Sequence, residues 1–492
     1  MVSRSRLRLR PDHGRVIAVL FVPGEEMPRG DSRVVSVTER ILAMDDTDVT
    51  STLADLRQRF GHRHRHLEDI WSSHFRLAAR RLGDGDEVPV DKKLLMGAYF
   101  TRELSLEGAA LFNPSIVAHP DQNGVAHSET RFVMSLRAVG EGHISSIEFR
   151  TGIVNRSGEV RLDDPGKFLG YGHHSPGPYT RCLFHAKLAE RGCDNQAAAL
   201  VLDRLGPVFG PAELDVAIAS LHSELLSRAA VRDAVVGIRW VAANNYTVEF
   251  PIGTEISERV LWPHGPAEAQ GMEDARFVRF VGDDGAVTYF ATYTAFDHAH
   301  IAPQLLTTTD FRTFAVSQLS GPFATNKGMA LFPRKVGRQY VALSRWDRER
   351  LAITTSDDFS EWDKATTLDL PPRPWDLVQV GNCGSPLETP EGWLVLTHGV
   401  GPMHEYSIGA ILLDLDDPRR VIGTLPGPLI VANEDEREGY VPNVVYSCGA
   451  LAHGNAIVLP YGFSDSAIGF ARVDMAELLR LLTTRVPEST LR

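Results

Sequence analysis

Cysteines and long apolar runs are scarce in this 492-residue chain, and its 51 lysines and arginines are outnumbered by 63 aspartates and glutamates. Its four cysteines include no pair with the CxxC spacing, which disfavours a zinc site. Without a run of about 18 apolar residues, we expect no membrane span. The formal net charge of -12 argues against a broad nucleic-acid-binding face, because phosphate contacts need concentrated basic residues.

The start of the chain is basic but does not have the pattern of a signal peptide. After "MVSRSRLRLRPDHGRV", the apolar segment "IAVLFVPGEE" is too short and becomes acidic too quickly. Together with the few cysteines, this predicts a cytoplasmic protein. The length suggests two or three domains, or one large repeat domain with additions.

Two parts of the chain have apolar residues at helical spacing. We therefore predict an N-terminal helical extension over residues 1–95 and a helical insertion at about 179–230. His62, His64 and His66 fall in the first part, where a solvated helix face is favoured over a metal site.

The remaining sequence reads as short strands that repeat. A strand, a polar turn with glycine and a second strand ending in a polar group occur five times. The turn glycines are Gly124, Gly285, Gly337, Gly392 and Gly454. The last four are about 50 to 60 residues apart, which is typical of propeller blades, and the helical insertion lies in the wider first interval.

We therefore predict a mainly β fold, a five-bladed β-propeller with N-terminal and inserted α-helical segments. The propeller would cover residues 96–478, leaving a C-terminal tail at 479–492.

The polar ends of the repeated strands differ from one repeat to the next. They supply Asn113, Ser115, Arg137, Glu273, Asp274, Arg276, Lys327, Arg345, His398, Tyr461 and Asp465. Carboxylates and amides suit the paired hydroxyl groups of sugars, whereas several cations together suit phosphate. If the strands converge on one axis, the set would form a sugar site beside an anion site.

Several short segments with these residues resemble, in order, those of glycoside hydrolase family 130. They are "NPS" at 113–115, "GMEDARF" at 271–277, "TYTAFD" at 292–297, "NKGMALFPRKV" at 326–336, "LTHGV" at 396–400, "VPNVVYSCG" at 441–449 and "YGFSD" at 461–465. The family contains inverting β-mannoside phosphorylases and related β-mannosidases, and the resemblance covers roughly residues 96–475.

The resemblance implies a role for each residue. Asp274 matches the proton donor of the family's Glu-Asp-Pro-Arg motif, although Ala275 replaces the proline. The implied substrate-binding residues are Asn113, Ser115, Arg137, Glu273, Arg276, Tyr461 and Asp465. The implied phosphate-binding residues are Lys327, Arg345 and His398.

Glu273 and Asp274 are neighbours in a predicted strand, where adjacent side chains point to opposite faces. We therefore expect only one of them to face the axis, and we predict that it is Asp274. Glu273 would then support Arg276 or its neighbours.

The resemblance implies inverting phosphorolysis of β-1,2- or β-1,4-linked manno-oligosaccharides to α-mannose 1-phosphate. Inorganic phosphate is the co-substrate and needs orientation more than a general base. No metal or other cofactor is implied, and no nucleic-acid or membrane partner is expected. An inverting β-mannosidase on the same fold and a non-catalytic glycan- or protein-binding propeller stay open as alternatives. The helical additions lead us to expect a homo-oligomer.

Overall fold

A computed structural model describes residues 1–22, 33–79, 88–221, 229–298 and 300–484. In chain order the strands are β1 (Val2–Leu9), β2 (Val16–Leu20), β3 (Thr101–Ser105), β4 (Ala110–Ala118), β5 (Thr130–Val139), β6 (Ser145–Val154), β7 (Val160–Leu162), β8 (Gly170–Tyr171), β9 (His173–Pro176), β10 (Tyr179–Thr180), β11 (Val208–Phe209), β12 (Tyr246–Glu249), β13 (Arg259–Val260), β14 (Gly271–Val281), β15 (Val287–Phe296), β16 (Ile301–Thr308), β17 (Thr313–Gln318), β18 (Ala330–Leu331), β19 (Tyr340–Ser344), β20 (Ala352–Ser356), β21 (Lys364–Thr367), β22 (Gln379–Asn382), β23 (Leu387–Thr389), β24 (Gly392–Val400), β25 (Tyr406–Leu413), β26 (Val421–Thr424), β27 (Val445–Tyr446), β28 (Leu451–His453), β29 (Ala456–Phe463) and β30 (Ala467–Asp474).

The helices are α1 (Arg33–Leu42), α2 (Asp46–Phe60), α3 (Leu67–Ala79), α4 (Val90–Tyr99), α5 (Arg181–Glu190), α6 (Gln196–Leu202), α7 (Pro211–Ala219), α8 (Ala229–Ala243) and α9 (Met475–Thr483). The fold is thus mainly β with some helices, as predicted. In the described part of the chain, every helix is too short or too polar to cross a membrane.

The chain divides into a larger, β-rich unit and a smaller, helical unit. The β-rich unit contains Met1–Pro11, Ala109–Pro165 and Tyr171–Arg492. The helical unit contains Asp12–Gly108 and Gly166–Gly170.

Within its described residues, the β-rich unit contains five groups of four antiparallel strands, in chain order except that β1 completes the last group. They are the first sheet (β4-β5-β6-β7), the second (β14-β15-β16-β17), the third (β18-β19-β20-β21), the fourth (β22-β24-β25-β26) and the fifth (β27-β29-β30-β1). The first two groups belong to one ten-stranded sheet, in which β12 and β9 follow β17. A single parallel bridge between Ser145 and Gly271 joins the first sheet to the second.

The turn prediction is confirmed in all five sheets. Four of the predicted glycines lie between the two strands of a hairpin, and Gly392 is the first residue of β24, opposite Thr389 of β23. All five have a positive φ, the left-handed region that favours glycine. The values are 75° at Gly124, 79° at Gly285, 61° at Gly337, 154° at Gly392 and 56° at Gly454.

The first strand of the chain belongs to the fifth sheet, so the prediction that residues 1–95 form one helical extension was wrong. β1 pairs with β30, with Val2 opposite Val473. Its sequence "VSRSRLRL" has no helical periodicity, and pairing satisfies backbone groups that β30 would otherwise leave open. Arg8 Nη2 also lies 3.1 Å from the fully buried carboxylate of Glu436.

The helical unit is held by α1 to α4. Trp71, Leu95 and Phe100 are buried in its core, which accounts for the apolar periodicity of this part of the sequence. The three histidines lie in the turn after α2 rather than on a helix face, and His64 Nε2 is 2.7 Å from Glu103 Oε1. Residues 23–32 and 80–87 lie outside the described residues.

The helical insertion extends further than predicted, because α8 continues to Ala243. Phe184, Val201 and Ile238 are buried among its helices. α9 also crosses the predicted start of the C-terminal tail at residue 479, since its leucines pack into the core of the fifth sheet. Of the two predicted segments, residues 222–228 and 485–492 lie outside the described residues.

Candidate active site

Two neighbouring strands bulge where the polar residues meet. The β14–β15 register shifts between Glu273 and Arg276, and the β4–β5 register shifts between Phe112 and Ser115. At the two bulges, Asp274 has a φ of 55° and Asn113 a φ of 50°. Such left-handed backbone is costly for residues other than glycine, and bulges commonly re-aim side chains beside active sites.

The bulge in β14 brings both acids of the Glu-Asp pair to one guanidinium. Arg137 Nη2 donates to Glu273 Oε1 at 2.7 Å, and Arg137 Nη1 lies 3.4 Å from Asp274 Oδ1. The prediction that only one of the two acids faces the site was therefore wrong, because the bulge interrupts the alternation of side chains. The second partner of Glu273 is Lys327, whose Nζ lies 2.6 Å from Glu273 Oε2.

Asp274 is surrounded by donors and positive charge. Asn113 Nδ2 donates to Asp274 Oδ1 at 2.6 Å, and Arg276 Nη1 donates to the Asp274 carbonyl oxygen at 2.8 Å. Burial by itself raises the pKa of Asp274, but the charges of Arg137, Arg276 and Lys327 and the Asn113 hydrogen bond outweigh it. The net pKa is lowered, so this carboxylate is ionised at neutral pH.

Asp465 behaves in the opposite way. It lies in the turn between β29 and β30 with a φ of 49°. Burial and the nearby charge of Asp274 raise its pKa to about 6, against the opposing effect of Arg137. The two aspartates therefore differ in charge state on the acidic side of neutrality.

Arg345 and His398 form a second part of the site. Arg345 Nη1 donates to His398 Nε2 at 3.0 Å, and His398 Nδ1 lies 3.2 Å from the Asn382 carbonyl oxygen. Burial, followed by the positive charges of Arg345 and Arg276, lowers the pKa of His398. The imidazole is therefore neutral, with Nδ1–H donating to Asn382 and Nε2 accepting from Arg345, and it orients Arg345 without adding a charge.

Arg345 has free hydrogen-bonding capacity although its side chain is nearly buried. Its Nε atom is buried and has no hydrogen-bond partner in the described part of the chain. No carboxylate within the described ranges forms a salt bridge with it. A buried guanidinium that donates to a neutral imidazole and has no carboxylate partner in the described ranges suits an anionic ligand.

Two residues that sequence reasoning missed complete this region. Tyr446 accepts a hydrogen bond from Arg276 Nη2 at 2.7 Å, and its ring lies 4.7 Å from that of His398. Gln379 Nε2 is 3.3 Å from His398 Nε2. Tyr446 lies within the segment "VPNVVYSCG" and could have been singled out there, whereas Gln379 lies outside every segment used in the comparison.

The structure gives two predicted substrate-binding residues packing roles. Ser115 Oγ accepts a hydrogen bond from the Phe277 backbone N–H at 3.0 Å and so links β4 to β14. Tyr461 is fully buried, and its hydroxyl donates to Glu436 Oε1 at 2.6 Å. Tyr461 is therefore reassigned to the core of the fifth sheet.

The resulting group draws on all five sheets and the loops beside them. Its charged members are Arg137, Glu273, Asp274, Arg276, Lys327, Arg345 and Asp465, joined by the polar residues Asn113, Gln379, His398 and Tyr446. Four cations outnumber three carboxylates even when all three are ionised. The group therefore has the charge balance to accept an anion beside Asp274.

Comparison with known proteins identifies the class of the chain. The model of glycoside hydrolase family 130, described as beta-1,4-mannooligosaccharide phosphorylase, matches residues 246–484, just under half of the chain. A 1,2-beta-oligomannan phosphorylase from Thermoanaerobacter sp. (strain X514) is 33% identical over 215 residues, covering 43% of this chain and 71% of that protein. The chain belongs to glycoside hydrolase family 130, as the order of its segments predicted.

The names of two further relatives refer to different linkages, beta-1,2 and beta-1,4. A beta-1,2-mannobiose phosphorylase from Listeria innocua is 32% identical over 230 residues, covering 45% of this chain and 63% of that protein. A beta-1,4-mannooligosaccharide phosphorylase from Ruminococcus albus is 32% identical over 177 residues, covering 33% of this chain and 52% of that protein.

Proposed function

We propose that the protein is an inverting β-mannoside phosphorylase that forms α-mannose 1-phosphate. The observation that carries this proposal is Arg345, a nearly buried cation whose Nε has no partner among the described residues and whose charge interacts with that of Asp274 without a salt bridge. An enzyme that only activates water has no need for such a group, whereas attacking phosphate needs several charge-assisted donors. The names of the relatives support the same reaction.

We also propose that the five sheets form a five-bladed propeller. Its support is a set of hydrogen bonds that joins each sheet to the next and the last to the first. They are Phe277 N to Ser115 Oγ, Val281 N to Pro333 O, Val380 N to Glu349 O, Tyr406 N to Asn443 O and Cys448 N to Pro114 O. A closed succession leaves no exposed sheet at either end, and it brings one polar group from each sheet to a common axis.

In the proposed reaction, phosphate lies beside Arg345 and Lys327, while Asn113, Arg137 and Asp465 contact the mannosyl ring. Arg276 adds its charge from behind, because its donors are held by Cys383, Asp274 and Tyr446. A phosphate oxygen forms a bond to the anomeric carbon on the face opposite the glycosidic oxygen. The bond to that oxygen breaks, and the oxygen receives a proton from Asp274, directly or through a ring hydroxyl. Since phosphate is already an anion, no second carboxylate is required as a base.

The proton on Asp274 requires an explanation, because its surroundings keep it ionised. A phosphate dianion among the cations offsets the positive charges that lower the pKa of Asp274. The pKa then rises, and the carboxylate gains the proton that it later donates. In this scheme phosphate prepares the acid as well as acting as the nucleophile.

His398 acts on phosphate through Arg345 rather than as a cation. Its Nε2 fixes the direction of one Arg345 amino group, and this leaves Nε and the other amino group for the ligand. A cytoplasmic location and self-association remain proposals, supported by the scarce cysteines and by the helical additions respectively.

The proposal is tested by incubating the purified protein with β-1,2- and β-1,4-mannobiose, with and without inorganic phosphate. We expect α-mannose 1-phosphate only when phosphate is present, and the substrate that reacts identifies the linkage. An Asp274→Asn variant should retain its fold and lose about 10²- to 10⁴-fold in turnover. Release of free mannose regardless of phosphate would instead identify a β-mannosidase.

A further inference from the structure

Glu273 is shared between two cations that the proposed reaction assigns to different substrates. One carboxylate oxygen accepts from Arg137 at 2.7 Å and the other from Lys327 at 2.6 Å. The Glu273 side chain is only 9% exposed, whereas that of Lys327 is 36% exposed. The carboxylate is therefore fixed in place, and the lysine is the member of the trio with room to move.

The main chain around Lys327 is held while its side chain is not. Asn326 has a φ of 65° and donates from Nδ2 to the Arg345 carbonyl oxygen at 3.1 Å, and Gly328 has a φ of 95°. A lysine ammonium is a compact charge with three donors on a flexible stem. Its transfer from one acceptor to another needs only side-chain rotation.

Arg137, by contrast, is held on several sides. Its guanidinium lies over the Phe112 ring at 5.0 Å, and its Nε donates to Ser145 Oγ at 3.0 Å. Glu273 and Asp274 accept from its two amino groups. A change in the charge around Glu273 therefore changes the interaction of Glu273 with the Arg137 guanidinium, which positions Asp274.

We propose that Glu273 couples phosphate binding to the mannosyl half of the site by exchanging Lys327. When phosphate binds, the Lys327 ammonium moves from Glu273 to phosphate. The Glu273 carboxylate then interacts with Arg137 alone. Glu273 is thus a positioning residue rather than a catalytic residue. This inference rests on the proposed phosphorolysis, and it adds a reciprocal coupling between the two substrates.

The coupling has a measurable signature. Because Glu273 and phosphate compete for Lys327, a Glu273→Gln variant should bind phosphate about fivefold more tightly, the change expected for one partly exposed ion pair. Its kcat should fall because Arg137 loses an anchor. Its KM for the mannoside should also lose its dependence on phosphate concentration. A residue with only a structural role would not lower the KM for phosphate.

A double-mutant cycle with Lys327→Met decides whether the effect passes through the lysine. In the Lys327→Met background, Glu273→Gln should leave the KM for phosphate unchanged. An equal tightening in both backgrounds would show that the carboxylate acts through space and would overturn the exchange. An unchanged or raised KM for phosphate in the Glu273→Gln single variant would also overturn it.

Glu388→Gln is the matched control, since Glu388 is an exposed partner of Arg334 outside the site, and its kinetics should equal those of the parent. Calorimetric titration with inorganic phosphate separates the two proposals. If the parent protein forms no mannose 1-phosphate, the proposed function fails. The exchange is then tested by phosphate affinity alone, and equal affinities of the parent and Glu273→Gln would refute it.

Discussion

Replacing Asp465 with asparagine should stabilise the protein at neutral pH while reducing its activity. Burial and the charge of Asp274 raise the pKa of this carboxyl from its usual 3.8 to about 6. Between these two values the folded state binds more protons than the unfolded state, so the stability contribution of Asp465 falls as pH rises. A tenfold change in an acidity constant corresponds to roughly 1.4 kcal/mol. Raising the pKa from 3.8 to about 6 therefore costs the folded protein about 3 kcal/mol above pH 6.

Asparagine carries no charge and accepts the left-handed backbone at this position, so it removes that cost. Calorimetric unfolding of the parent and Asp465→Asn between pH 4 and pH 8 measures the difference. The stability advantage of the variant should grow by up to about 3 kcal/mol over this range, mostly between pH 4 and 6.5. The control Asp69→Asn, at a side chain that is 86% exposed, should show a much smaller change.

The activity of the parent should decline below about pH 6, where Asp465 gains a proton and stops accepting from ring hydroxyls. The variant should have a low kcat/KM for the mannoside and lack this acidic limb, while its KM for phosphate changes little. A variant that is less stable at pH 8 than at pH 4, relative to the parent, would refute the assignment of a buried charge to Asp465.

Three further changes test the rest of the argument. Gly381→Ala places a Cβ atom 2.5 Å from the His398 ring and 3.2 Å from Arg345 Nη1. We therefore expect a loss of about 1–3 kcal/mol in calorimetric stability and weaker phosphate binding. A variant with parental phosphate affinity would contradict the orienting role of His398. Arg345→Met removes the Nε that has no partner among the described residues, together with the rest of the guanidinium, and should raise the KM for phosphate about 10- to 100-fold with little change in the thermal midpoint. An unchanged KM would place phosphate elsewhere. Deleting Val2–Leu9 removes Arg4 and Arg8, the partners of the buried Glu436, and should lower the free energy of unfolding by about 3–5 kcal/mol. An unchanged free energy of unfolding would show that the fifth sheet does not need β1.

Much of the fold could be read from local signals. The five turn glycines marked five hairpins, because a left-handed backbone conformation at a tight turn selects glycine whatever surrounds it. Apolar periodicity likewise located most helices. Both signals depend on the backbone and on nearest neighbours, which a sequence records directly. The boundaries failed at β1 and α9, since their partners are fixed by contacts with strands far away in the chain.

The composition of the site was also largely readable, but its geometry was not. The polar ends of the repeated strands singled out Asp274, Arg345 and His398, and the structure brings them into one group. The sequence could not show that a bulge turns Glu273 and Asp274 toward the same guanidinium, because a bulge arises from the register between two strands.

Charge states were decided by the tertiary structure alone. His398 was predicted to bind phosphate beside Lys327 and Arg345, and burial near two arginines makes it neutral. Asp274 and Asp465 are the same amino acid with pKa values moved in opposite directions. The sequence by itself determined which ionisable groups, turns and family segments this protein has. The fold decided which of those groups share a low-dielectric space, and that neighbourhood sets their protonation and their partners.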